Sequence, residues 1–199
     1  SESTNTTLWS QPNKRISIQG LSEILLILGQ LLYSAYSTGF TMSAAKGTSV
    51  QELHAPNSIC FGCGPANSEG LRIRSFRTEN GLEMRFNPSP EHQAFPGMIN
   101  GGIIGTLMDC HGNWAAAIAL MDQSGHSEPP CTVTANYSIK LRKPTPFGHE
   151  IIVTGEVIEL TDDRAKVKME LTSDGKICAV GEGLFVAVKE GHPAYHRWN

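Results

Sequence analysis

One carboxylate, Asp109, stands in a glycine-led apolar stretch, NGGIIGTLMDCHGNWAAAIALM, at residues 100–121. At about 100° per residue this stretch separates into two faces. Ile103, Ile104, Leu107, Met108, His111, Trp114, Ala115 and Ile118 share a face suited to burial. Gly102, Gly105, Asp109, Gly112, Asn113 and Ala116 share the other, so the carboxylate lies on a strip of small residues. Glycine inside a helix costs roughly 0.5–1 kcal/mol relative to alanine. Glycines along one stripe therefore imply that a substrate, a second subunit or a packed neighbour comes close to the backbone.

The other reactive side chains read more plainly. Cys110 points about a quarter-turn from Asp109, and neither a Cys-His-Asn arrangement nor a GxSxG elbow accompanies it. His111, on the apolar face, reads as a satisfied core histidine. Cys60 and Cys63 form a CxxC in a glycine-rich turn, which could offer two thiolates to zinc or form a redox pair. No second CxxC follows, and Cys110, Cys131 and Cys178 are scattered along the chain. The CxxC therefore reads as a structural turn, and no metal is assigned.

The elements that would position Asp109 follow from periodicity. Residues 71–76 and 82–86 alternate apolar and polar around Asn80-Gly81, which predicts a hairpin. A loop with Pro88, Pro90, Pro96 and Gly97 leads into the glycine-headed helix and is expected to wall any pocket. After a polar loop at 122–130, four strands are expected at about 131–142, 150–160, 164–172 and 176–188. Two strands, one long helix and four strands make an α+β pattern in which an antiparallel sheet wraps a single helix.

Residues 1–19 are polar and read as a loose arm. Residues 21–36, LSEILLILGQLLYSAY, form an apolar helix candidate. Its run is short of the ~20 residues of a bilayer span and contains Glu23. Docking on the domain, on a partner subunit or on a membrane surface suits it better. Residues 37–58 read as a linker. The expected organisation is an N-terminal extension at 1–53, a folded domain at 54–190 and an irregular tail at 191–199. A net charge of −3 gives no basic footprint for nucleic acid. Five cysteines, an odd number in a chain of 199 residues, suit reduced thiols and a cytoplasmic location.

Three pieces in this order resemble the hotdog-fold acyl-CoA thioesterases, in particular the PaaI-like branch. They are CFGCGPANSEGL at 60–71, FPGMINGGIIGTLMD at 95–109 and TVTANYSIKLRKPTPFG at 132–148. The resemblance implies a five- or six-stranded antiparallel sheet around the central helix. It also implies a homodimer, or a dimer of dimers, with active sites between subunits. The implied substrate is an acyl-CoA, and no cofactor is needed beyond the coenzyme A that the substrate carries.

Carried over by position, Asp109 is the general base or nucleophile. The Gly101 and Gly102 amides would hold the oxyanion, aided by the helix dipole. Thr134 would reach across the dimer interface to position the water or the carboxylate. Asn100 stands where relatives commonly have histidine, which bears on activity and substrate preference. Ala94 stands where some relatives have asparagine. His92 and Phe95 in the loop, Asn113 on the small-residue face, and Arg142 and Lys143 are the candidate substrate contacts. The two basic residues, with Lys140 and Arg164, would meet the phosphates of coenzyme A. The alternative is a hotdog acyl-CoA or acyl-carrier-protein binding module that has lost turnover. A hydratase is disfavoured, because hydratases of this fold pair a carboxylate with a histidine in another motif.

Overall fold

A computed structural model describes residues 47–198. Their main layer is a six-stranded antiparallel sheet of β1 (Ser75–Thr78), β2 (Gly81–Phe86), β5 (Thr132–Leu141), β6 (Ile151–Leu160), β7 (Arg164–Ser173) and β8 (Lys176–Ala187). The strand order is β1-β2-β6-β7-β8-β5. A separate two-stranded hairpin, β3 (Gln93–Phe95) and β4 (Met98–Ile99), precedes the long helix α2 (Gly101–Ser124). This is the hotdog fold: one long helix lies against an antiparallel sheet.

The helix is held from both sides. Ile104, Leu107, Met108, Trp114 and Ile118 are buried, as expected of the apolar face. The sheet presents Met84, Val153, Val167, Met169 and Phe185 to the helix, each nearly inaccessible, while Trp114 turns towards Cys63 and Trp198. Each such side chain contributes about 1.5–3 kcal/mol when removed from water. Asn113, Ala116 and Ala117 are buried too, so beyond its first turns α2 is enclosed nearly all round. Gly112 belongs to this packing, since a Cβ there would lie 2.5 Å from Met169 Sδ and 2.8 Å from Phe185 Cζ. The close neighbour implied by that glycine is the chain's own sheet. Gly125, in the left-handed conformation at φ 68°, ends the helix.

Several boundaries differ from expectation. The first hairpin strand begins at Ser75 and not at residue 71, because Arg72 adopts φ 52° and breaks extended structure. Part of the loop before α2 pairs as β3 and β4, with a register shift between Gln93 and Phe95. The linker expected at 37–58 contains a short helix, α1 (Val50–His54). A capping box between Ser49 and Glu52 starts it, and it buries Val50 and Gln51. The tail is irregular, as expected, yet it is anchored: Trp198 is buried and stacks on Trp114 with ring centroids 4.4 Å apart. The apolar segment 21–36 lies outside the described residues. Among the described residues no helix is long and apolar enough to cross a membrane.

Candidate active site

The site forms where the first half of α2 faces β5. In β5, the pairing with β8 shifts between Thr134 and Asn136, so Ala135 is an extra residue in the ladder. A bulge of this kind moves the next side chains to the opposite face. Before it, Thr132 and Thr134 meet α2; after it, the odd-numbered Tyr137, Ile139 and Leu141 do. One strand thereby gives hydroxyls to the deeper part of the helix and an apolar wall to its open end. That wall and Gly101, Gly102, Gly105, Thr106 and Asp109 line an open cavity of about 580 Å³.

Thr134 Oγ1 donates to Asp109 Oδ1 at 2.7 Å. This hydrogen bond is made within one chain. The cause is local: α2 lies directly on β5, and the bulge aims Thr134 inward. Asn113 stands one turn further along the helix, where Thr132 Oγ1 donates to its Oδ1 at 2.8 Å. Asn113 Nδ2 lies 3.5 Å from Thr134 Oγ1 and donates to it. Asn113, expected as a substrate contact, is buried and lies outside the cavity lining, with its side chain against Thr132 and Thr134.

Burial pushes the Asp109 carboxyl above its ordinary value, opposed by the Thr134 hydrogen bond and then by the Arg197 guanidinium. Arg197 comes from the tail and is anchored by donating to the Thr132 carbonyl at 2.9 Å. It was not legible beforehand, since nothing in an irregular terminus announces where it returns. Thr106 and Tyr137 were also missed. Helical spacing from Gly102 could have indicated Thr106, whereas Tyr137 was hidden by the bulge.

Asn100 is the N-cap of α2, and its Oδ1 accepts from the Gly102 N–H at 2.7 Å. The two glycine amides are therefore not equivalent. Gly102 is engaged by the cap, and among the described residues no acceptor takes the Gly101 N–H. An oxyanion at this end of the helix would meet Gly101 and the positive end of the dipole.

The remaining candidates fall elsewhere. His92 Nδ1 accepts from the Ser89 N–H at 2.9 Å, and its ring packs on Phe86, so it braces a turn outside the cavity lining. Phe95 is exposed on β3 and also lies outside the lining. Arg142 and Lys143 are exposed immediately after Leu141, which lines the cavity. Arg164, the first residue of β7, is paired with Asp163 at 2.8 Å. His111 is a satisfied core residue: Nε2 lies 3.2 Å from the Leu82 carbonyl, to which it donates, and Nδ1 lies 2.8 Å from Ser75 Oγ. Burial drives its pKa down to about 4, so it is held neutral.

The cysteines are less scattered than the sequence suggested. The CxxC turn lies on α2, bringing the sulfurs of Cys60, Cys63 and Cys110 within 4.8 Å of one another. Hydrogen bonding with Cys110 draws the Cys60 thiol far below its ordinary range, while Cys60, Cys63 and burial push Cys110 up.

The family model of the thioesterase superfamily matches residues 96–179, which include α2, β5, β6, β7 and the start of β8. A thioesterase superfamily protein from Shewanella loihica PV-4 is 31% identical over 63% of this chain and 98% of its own, with a TM-score of 0.51. Zebra fish thioesterase superfamily member 2 is 20% identical over 62% of this chain and 90% of its own, at 0.50. A hypothetical thioesterase from Streptococcus pneumoniae TIGR4, solved with coenzyme A, is 15% identical over 58% and 85%, also at 0.50. A comparison with curated proteins found no match. The chain belongs to the thioesterase superfamily, with the hotdog fold.

Proposed function

We propose that this protein is an acyl-CoA thioesterase of the PaaI-like branch, releasing free coenzyme A and a carboxylic acid. The observation that carries this reading is the shared cavity: Asp109 and the glycine-headed start of α2 line the same open space. A thioester carbonyl set against the Gly101 N–H is polarised by that amide and by the helix dipole. Asp109, steadied through Oδ1 by Thr134, takes a proton from water with its other oxygen as the water attacks the carbonyl carbon. The tetrahedral intermediate collapses with loss of the coenzyme A thiolate, leaving the acid.

Tyr137, Ile139 and Leu141 give the acyl group an apolar wall. Arg142 and Lys143, just beyond it, suit the phosphates of coenzyme A. Support for a CoA ligand also comes from the Streptococcus pneumoniae relative of the same fold. β5 is an edge strand with Tyr137 and Leu141 exposed, which fits pairing with a second copy into a homodimer and a cavity closed by the partner.

The test is release of free thiol from a panel of aliphatic and aromatic acyl-CoAs, with binding measured in parallel. Saturable turnover on at least one member is expected. Saturable binding with no thiol release supports the alternative, an acyl-CoA or acyl-carrier-protein binding module; Asn100 occupying one glycine amide favours that alternative.

A further inference from the structure

The three sulfurs beside the cavity form an arrangement that thioester hydrolysis does not use. Cys60 Sγ and Cys110 Sγ are 3.9 Å apart, and Cys63 Sγ completes a triangle with no edge longer than 4.8 Å. The turn that carries two of them is fixed in place. Gly64 N–H donates to the Cys60 carbonyl at 2.8 Å, Leu71 N–H to Phe61 at 2.8 Å and Ile73 N–H to Gly62 at 2.9 Å. It sits so close to α2 that a Cβ on Gly62 would lie 2.3 Å from Cys110 Sγ and 2.9 Å from Thr106 Cγ2. Glycine at that position is what lets the CxxC reach the helix thiol. Trp114 Nε1–H donates to Cys63 Sγ at 3.3 Å, orienting it from behind.

Distance separates two chemistries for such a cluster. A disulfide needs sulfurs at about 2.05 Å, and any one bond would leave the third thiol unused. Thiolates around zinc at about 2.3 Å stand roughly 3.8 Å apart in a tetrahedron and about 4.0 Å in a trigonal plane. The 3.9 Å separation between Cys60 and Cys110 is such an edge. Among the described residues the cluster contains no carboxylate or imidazole ligand. An all-sulfur set selects soft ions such as Zn(II) or Cu(I) over Mg(II) or Ca(II). Cys63 and Cys110 are buried while Cys60 is half-buried, so the Cys60 side is the way in.

We propose that Cys60, Cys63 and Cys110 bind one thiophilic d10 cation, clamping the CxxC turn to α2 next to Asp109. The thiols that coordinate give their protons to solvent on binding. Three sulfurs leave a tetrahedral ion one position for water. This assignment is independent of the reaction proposed for the cavity, so either can fail without the other.

The test uses the full chain, reduced and handled without oxygen, with all thiols counted as free. Zinc content is measured by mass spectrometry, and Co(II) titration reports thiolate ligation through its charge-transfer absorption. About one equivalent per chain is expected, with loss of at least about tenfold in affinity for Cys60→Ser and none for Cys131→Ser. Circular dichroism checks that both variants fold. If Cys60→Ser fails to fold, the wild-type absorption and its displacement by Zn(II) decide the question. Absence of the thiolate band in folded, fully reduced protein overturns the proposal. So does unchanged affinity in a folded Cys60→Ser variant.

Discussion

Thr134 Oγ1 and Asp109 Oδ1 meet at 2.7 Å within a single chain, joining an edge strand to the middle of the central helix. The hydroxyl is a donor here, so it favours the carboxylate form and fixes which oxygen remains for water. Thr134→Val keeps the shape and removes the donor. It should lower kcat about 10- to 100-fold, the equivalent of one hydrogen bond to a charged group. Thr134→Ser should retain most activity. Steady-state thiol release for the two variants checks this.

Asn100 caps α2 through the Gly102 N–H. Asn100→Ala removes the cap and should destabilise the fold by about 1 kcal/mol, whereas Asn100→Asp should keep most of that stability. Chemical denaturation of the three proteins measures it. The same Ala variant frays the amide end proposed to polarise the carbonyl, so kcat should fall with little change in KM.

Gly112 and Gly105 lie on one stripe but answer to different neighbours. Gly112→Ala drives a methyl into Met169 and the fully buried Phe185 ring, and overpacking of this kind costs about 1–3 kcal/mol. Gly105→Ala meets only Tyr137 Oη at 3.7 Å. It should gain about 0.5–1 kcal/mol from helix propensity while narrowing the cavity. Opposite shifts in Tm, with a raised KM for Gly105→Ala alone, are the expected pattern.

Arg77 grips Asp122 with both guanidinium nitrogens, at 2.7 and 2.8 Å, tying β1 to the last turn of α2. The Arg77 hydrogen bonds hold the Asp122 carboxyl below its ordinary value. A carboxylate depressed on folding contributes stability above its unfolded pKa, and that contribution fades as pH falls through the folded one. Both side chains are about half exposed, so the contribution is under about 1 kcal/mol after screening. Arg77→Gln should therefore lower Tm slightly at neutral pH, with the difference vanishing in acid.

Much of this architecture is written in local pattern. The glycine-headed apolar run announced α2, and period-two alternation marked β5 to β8 to within about two residues. What stayed hidden depends on tertiary contact. α1 has only five residues, too few for a periodic signal, although its Ser49 and Glu52 capping pair was present in the sequence. The Ala135 bulge reverses which residues of β5 face the helix, so Tyr137 was unmarked while Thr134 was found by family likeness. That likeness supplied the Thr134 and Asp109 pair, which meets within the chain. Cys110 and Arg197 join the CxxC turn and Asp109 only through folding.

In the proposed mechanism Asp109 activates water in the cavity at the head of α2. Its most direct test is thiol release by wild type and Asp109→Asn on the best acyl-CoA substrate, with folding verified by thermal melting. The expected result is a fall in kcat of about 100-fold or more with the fold retained. Turnover by Asp109→Asn at the wild-type rate would contradict it.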